Sequence, residues 1–394
     1  MSALRTLPWR RRRPDGPPTL LVDHWYSHAV GHVIEALRRC QGYHAQDPEL
    51  RIALVLNRAS PTELATCAPF VSEIFGIPYT SFGAPVDSPR RALRRVPRDW
   101  DHVVHHPAAA DPAERRFEGL QRYYEASRRH FRGRLSVGIA GAPPPAYAPH
   151  QQLRLVLPER ERAAARNELE TRRSIAVMPA GSGARYLYPS TASWLVILDE
   201  LERRFPDAVF TFVGRLGAAG GRTTSGISRG EIDRLLGSRR RSIDSFDRPI
   251  LEQLALVEGS SIFVSPHTGF GFAAVAVGTA WLTLSGGDWP EYFFNGVPFY
   301  AVLPKSNEHP AFVHSRNLPM IGADSDGEGP RTTTMSARRV QEDLAELAEA
   351  AERLVDGRLS YEAALVDYFP RLLEAYAGDR SQLFSFEDVH LPYV

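Results

Sequence analysis

The stretch Val264–Leu284, VSPHTGFGFAAVAVGTAWLTL, places His267-Thr268-Gly269 where a strand-like run gives way to a helix of small residues. Such a turn presents backbone N–H groups at the positive end of a helix dipole, which makes it an anion site. Thr268 supplies a cap and a hydroxyl, and Gly269 and Gly271 let a ligand come close to the backbone. A diphosphate suits that chemistry. Spacing alone is met equally by a plain N-cap followed by tightly packed small residues, with His267 an ordinary polar side chain.

A second cluster lies in DHWYSHAVGHVIEAL, Asp23–Leu37, where His24, His28 and His32 recur every fourth residue. On one helix they would suit a metal. Here His24 belongs to a strand and His28 to the following loop, so the three share no face and no metal is expected. A neutral imidazole at a helix start is a proton acceptor near pH 7, and general-base help of this kind gives roughly 10²–10⁴-fold. The positive helix end disfavours the imidazolium and keeps the ring ready to accept. His32 is therefore the candidate base, with Asp23 and His28 placed to orient it; the alternative is that His32 only caps or packs. His102, His105 and His106 end another strand, as ordinary loop polar residues or as residues that line the acceptor side.

The elements that would position these groups alternate. Thr19–Trp25, Arg51–Arg58 and Asp101–His106 read as strands; the segments after Gly31, after Ser60-Pro61 and across EGLQRYYEASRRHFRGRL read as helices. The Pro-rich GIAGAPPPAYAPH closes this half, and QLRLVLP adds one more strand. The alternation restarts at SIAVMPA, Ser174–Ala180, and continues through AVFTFVG, SIFVSP and AWLTLSG with helices between them. Strand–helix alternation specifies a parallel α/β layer, so the expected fold class is α/β with two Rossmann-like doubly wound domains facing a cleft. The boundaries are a basic arm over 1–16, a first domain over 17–160, a second over 170–325, and helices over 335–394 that pack back on the first.

Composition narrows the partners. A chain of 394 residues exceeds one ordinary core. Hydrophobic residues at 43% and charged residues at 24% fit a soluble globular protein, and a net charge of +1 gives no global reason to expect nucleic acid or a membrane. Lys305 is the only lysine. Cys40 and Cys67 show no CxxC spacing and read as small buried apolar residues, which fits a reducing cytoplasm. Arg10–Arg13 precede Pro14 with no export-signal core after them, and no run reaches the roughly 18 apolar residues of a membrane helix.

FVSPHTGFGFAAVAVGTAWLTLSG resembles the second-domain signature of the heptosyltransferase-like GT-B glycosyltransferases, in which Asp-Thr/Ser-Gly follows a strand and opens the sugar-nucleotide site. SIAVMPAGSGARYLYPSTASWLVILDELERRFPDAVFTFVG resembles the first half of that domain, with Pro179, Ser182, Pro189, Trp194 and Gly214 keeping its rhythm. The resemblance covers about residues 174–285 and implies inverting, metal-independent transfer from a nucleotide-sugar co-substrate to a hydroxyl on a small molecule or glycan, with no cofactor. Family members carry Gly-Asp in the first turn, the aspartate acting as base; the matching pair here is Gly31-His32, which also resembles the Gly-His turn of the peptidoglycan glucosaminyl transferase. The departures are His267 for the family aspartate, FGFAA for the run holding the family histidine, and Tyr186-Leu187-Tyr188-Pro189 for Lys-x-Trp-Pro, with Arg185 displaced by one residue.

On that reading Ser182, Arg185, His267, Thr268 and Gly269 hold the donor diphosphate. Arg215, in FVGRLGAAGGR, meets phosphate from a loop that lacks the dinucleotide G-x-G-x-x-G arrangement. Asp288 and Glu291, in GGDWPEYF, hydrogen-bond a sugar hydroxyl or simply make a turn, and His28 lines the donor-sugar or acceptor side. An epimerase on the same architecture and a non-catalytic nucleotide-sugar-binding protein are the rival readings.

Overall fold

The computed structural model describes residues 16–78, 89–105, 118–131, 145–170, 172–183, 188–284, 294–303, 337–383 and 388–394. The chain divides into two compact units: one takes in the residues up to His28 together with Ala36–Gln151, the other Ala29–Glu35 together with Gln152–Val394.

Unit 1 contains β1 (Thr19–His24), most of α1 (Val30–Gln46), β2 (Arg51–Asn57), β3 (Val71–Ile77), α2 (Pro89–Leu93), β4 (His102–His105) and α3 (Glu118–His130). Its four strands run parallel in the order β3-β2-β1-β4. β1 and β2 are near-continuous apolar runs because helices cover a parallel sheet on both faces. One face rests on Trp25, Trp100, Tyr123 and Phe131. Cys40 and Cys67 are free and buried, and burial pushes the Cys40 thiol up.

The segment after Pro61 departs from the sequence expectation of one long helix. A short 3-10 turn over Thr62–Cys67 ends before Pro69, and β3 follows at once. Proline removes a donor and bars the residue before it from helical geometry, so the helix signal at Ser60-Pro61 does not propagate. VSEIFGI, rich in β-branched and aromatic residues, joins the sheet beside β2.

Unit 2 contains α4 (Glu159–Leu169), β5 (Ser174–Val177), α5 (Thr191–Arg204), β6 (Val209–Phe212), α6 (Arg229–Gly237), β7 (Ser242–Asp244), α7 (Ile250–Glu258), β8 (Ile262–Ser265), α8 (Gly269–Ala276), β9 (Trp281–Thr283), β10 (Phe299–Ala301), α9 (Ala337–Val355) and α10 (Tyr361–Ala375). The sheet is parallel, ordered β10-β9-β8-β5-β6-β7. The order turns at β5, the place where ligands enter open α/β sheets. Residues 152–158, expected as a strand, are extended but outside the ladder. Leu153 N–H donates to Asn295 Oδ1 at 2.7 Å and Leu155 N–H to Ala276 O at 2.9 Å, so a side chain and a helix end satisfy this backbone.

The C-terminal helices, expected against the first domain, fall in unit 2. α9 packs on α5, with Arg204 bonded to Glu352 at 2.7 Å. From α10, Arg371 donates to Ala301 O at 3.0 Å and lies over the Tyr300 ring, whose hydroxyl bonds Glu346 of α9. Their apolar stripes cover the β9–β10 end of the second sheet, which needs a cover on that face. Among the described residues no helix is long and apolar enough to cross a membrane.

Candidate active site

β8 ends at Ser265, and the turn Pro266-His267 leads to Thr268, the N-cap of α8, whose hydroxyl accepts from Gly271 N–H at 3.3 Å. α8 is buried along its length. It lies so close to the sheet that a β-carbon on Gly271 would sit 2.1 Å from the Trp281 ring. Trp281 is itself fixed, its Nε1–H donating to Ser265 Oγ at 3.0 Å. His267, half-buried, stacks on that indole at 5.9 Å with an interplanar angle of 16°, and meets Phe272 edge-on at 5.2 Å.

The loop after β5 adjoins this turn. A β-carbon on Gly181 would fall 2.8 Å from Thr268 Cγ2, and Gly181 O accepts from Gly226 N–H at 2.7 Å. Trp194 Nε1–H holds Pro179 O at 2.9 Å, and Ser190 caps α5 through Ser193 N–H at 3.0 Å. The Tyr188 hydroxyl accepts from Gly183 N–H, and burial pushes its pKa up to about 12. Ser182 is exposed at this rim.

The first turn of α1 belongs to the same unit. Gly31 abuts α8: a β-carbon on Gly269 would lie 2.6 Å from Gly31 N, and one on Gly31 would lie 3.0 Å from the Phe272 ring. Two helix starts therefore meet backbone to backbone, which only glycine permits. His32 follows directly, its Nδ1 3.2 Å from Glu35 Oε2, with side-chain exposures of 36% and 15%. The imidazole is therefore open to a substrate while its carboxylate partner is largely covered.

Asp23 is elsewhere engaged. It pairs in register with His105 across β1 and β4, its Oδ2 2.7 Å from His105 Nδ1, both residues buried. His105 stacks on Tyr123 at 4.9 Å and 14°, and the Tyr123 hydroxyl donates to Asp23 O at 2.7 Å. The expectation that Asp23 orients His32 is corrected: the register gives Asp23 to His105, and His32 takes its carboxylate from its own helix. His28 is half-buried in the β1–α1 turn.

Arg215 does not reach outward as expected. Its Nε donates to Gly217 O at 2.7 Å and its Nη2 to Ala219 O at 3.1 Å, so the guanidinium closes its own loop. Asp247 Oδ1 accepts from Leu216 and Gly217 N–H, each at 2.9 Å, and buried Gln253 grips both backbone groups of Gly214. Arg185, Asp288 and Glu291 lie outside the described residues.

No protein-family model and no curated protein matches the chain. Solved structures do. A glycosyl transferase family 9 protein from Veillonella parvula DSM 2008 is 11% identical, covering 86% of this chain and 97% of that one with a TM-score of 0.51. The chain has the GT-B fold. E. coli ADP-heptose LPS heptosyltransferase II is 14% identical over 85% of this chain and 99% of that one, TM-score 0.49. E. coli heptosyltransferase WaaC with ADP is 12% identical over 84% and 99%, also at 0.49. Identities this low speak for the fold alone.

Within this GT-B chain, unit 2 brings together His32, His267, Thr268 and Gly269, with Ser182 beside them through Gly181. Sequence reasoning missed Glu35, although its i, i+3 spacing from His32 on a helix was the available signal. It read His105 as a loop polar residue or one lining the acceptor side; only the lateral pairing of two strands shows its partner.

Proposed function

We propose that this protein is a glycosyltransferase that moves a sugar from a nucleotide-sugar donor to an acceptor hydroxyl, with inversion and without a metal. The observation that carries the reading is the meeting of two helix starts at Gly31 and Gly269 inside one unit. One start carries His32 with Glu35; the other carries Thr268 and His267. The N-terminal end of α8 suits the donor diphosphate, with Thr268 capping the turn through Gly271 N–H and exposed Ser182 adding a hydroxyl at its edge. With the proton of Nδ1 directed at Glu35 Oε2, His32 keeps the Nε2 lone pair for the acceptor. The acceptor oxygen bonds to the anomeric carbon as the bond from that carbon to the diphosphate oxygen breaks. The acceptor proton passes to His32 Nε2. The charge that develops on the nucleoside diphosphate meets donors already oriented toward it, the arrangement that lowers such barriers most. Free buried cysteines suit a reducing cytoplasm as the site of the reaction.

The test pairs binding with turnover. A thermal-shift panel of UDP, GDP, ADP and dTDP identifies the nucleotide, since a ligand at a hundredfold excess over its Kd stabilises by about 2.7 kcal/mol. His32→Ala then abolishes transfer from the matching nucleotide sugar while leaving that shift intact. Retained turnover removes the base role. Release of altered nucleotide sugar with no acceptor present would favour an epimerase.

A further inference from the structure

The overall charge is close to zero, yet on unit 1 the charges are segregated. α2 and the turn that follows it carry Arg91, Arg94, Arg95 and Arg98, all exposed. Their neighbours Leu93, Val96 and Trp100 point the other way, into the aromatic core. α3 is built alike: Tyr123, Tyr124 and Phe131 face the same core while Arg128 and Arg129 are exposed. The two segments are locked side by side, because buried His130 Nε2 lies 2.8 Å from Val96 O. The charge is close enough to be felt there: burial first, and then the Arg98 guanidinium, hold His130 below its ordinary pKa. Among the residues of these stretches whose exposure is described, the exposed acids are Asp99 and Glu125, and among the described residues one ion pair touches the set, Arg129 to Glu125 at 3.8 Å.

We propose that this arginine face of unit 1 is a docking surface for an anionic lipid bilayer. Its occupant follows from what the face lacks and how its charge is spread. Among the described residues, the aromatic side chains beneath it are buried or partly buried in the core, so none of them offers the stacking platform that a single-stranded nucleic acid would need. Six guanidinia distributed over two helices and a turn match a plane of many headgroups better than one discrete anion, and clusters of four to eight basic residues are the usual basis of adsorption to acidic lipid. Contact through charge alone makes binding reversible and salt-sensitive. The proposal stands independently of the transferase reading, because no residue of the candidate active site takes part.

The experiment is co-sedimentation of the full chain with vesicles of phosphatidylcholine and phosphatidylglycerol in equal parts, against vesicles of phosphatidylcholine alone. Protein pellets with the acidic vesicles, stays in solution with the neutral ones, and is released as salt shortens the Debye length from about 30 Å at 0.01 M toward about 3 Å at 1 M. The triple variant Arg91→Gln, Arg94→Gln, Arg95→Gln lowers the partition coefficient about 100-fold, on the basis of roughly fivefold for each basic residue near the surface. Arg128→Gln with Arg129→Gln lowers it about 20-fold on the same basis. Replacing the same triple by lysine restores binding, which separates charge from fold, and Arg234→Gln with Arg240→Gln on unit 2 changes nothing. Failure to pellet with acidic vesicles overturns the proposal. So does a glutamine triple that binds like wild type, or a lysine triple that does not bind. Arginine-dependent retention on duplex DNA in the absence of vesicle binding would overturn it in favour of a nucleic-acid partner.

Discussion

Gly269→Ala decides whether the two helix starts meet. The added methyl carbon would fall 2.6 Å from Gly31 N and 3.1 Å from Gly31 Cα. Both neighbours are backbone, so neither can rotate away, and α8 or the first turn of α1 must shift. Overpacking of this kind costs about 1–3 kcal/mol. The opposite outcome has its own sign. Alanine in a helix that touches nothing stabilises a chain relative to glycine by about 0.4–1 kcal/mol, through the unfolded state and helix propensity. Thermal or urea denaturation of the two proteins therefore gives a loss if the contact exists and a gain if it does not. Gly31→Ala is the internal control. Its methyl carbon meets the edge of the Phe272 ring at 3.0–3.1 Å and Gly269 Cα at 3.2 Å, each a looser contact than 2.6 Å, so its cost is the smaller of the two. On activity, a displacement of about 1 Å between base and donor lowers kcat by about 10²-fold. A Gly269→Ala protein that is more stable than wild type and turns over normally would refute both the contact and the site built on it.

Other expectations concern the carboxylates. Glu35→Gln keeps the helix but weakens the hold on His32 Nδ1, so kcat falls by about 10–100-fold with nucleotide affinity unchanged, read by steady-state kinetics beside the thermal shift. Asp23→Leu leaves buried His105 without its partner and costs about 3–5 kcal/mol in denaturant. His105→Asn, which keeps a donor near the Nδ1 position, costs less than His105→Leu, and equal losses would show that the 2.7 Å pair contributes nothing. Glu200 is held at about 2 by hydrogen bonds from Arg203 and then Arg204. A depressed carboxylate stabilises above its unfolded pKa of about 4.3 and loses that contribution as pH falls through its folded value. Glu200→Gln therefore flattens stability between those two values in an acid titration, by a small amount because its arginine partners are solvent-exposed.

Much of this architecture is local and was therefore legible. Parallel strands covered on both faces leave continuous apolar runs, as in β1, β2 and β8, and some helix starts carry a capping side chain, as at Thr268 and Ser190. The failures share a cause: each depended on what lies beside a residue in space. Ser60-Pro61 is a sound helix signal, overridden by Pro69 and by the free edge that β2 offers to VSEIFGI. Leu153, Leu155 and Leu157 alternate with exposed residues like a strand, yet Asn295 and Ala276 take their backbone. Asp23 stands nine residues before His32 in sequence, which made it a natural partner on paper. The register of β1 against β4 gave it to His105 instead.

The residues at the α8 turn follow one another physically. An imidazole at position 267 is flat, and it lies nearly parallel to the Trp281 indole while Phe272 closes its edge. Trp281 is held by Ser265 Oγ, and the missing side chain of Gly271 leaves room for its ring. Ser265, His267, Gly271, Phe272 and Trp281 therefore form one packed unit beneath the helix start. An aspartate at 267 would have no ring to stack on Trp281. His267 and Phe272, from the FGFAA run, are thus packed as one group: a stacked imidazole with Phe272 against its edge. If the α8 turn holds an anion as proposed, a ring that can donate a hydrogen bond beside the helix N-terminus adds to that binding.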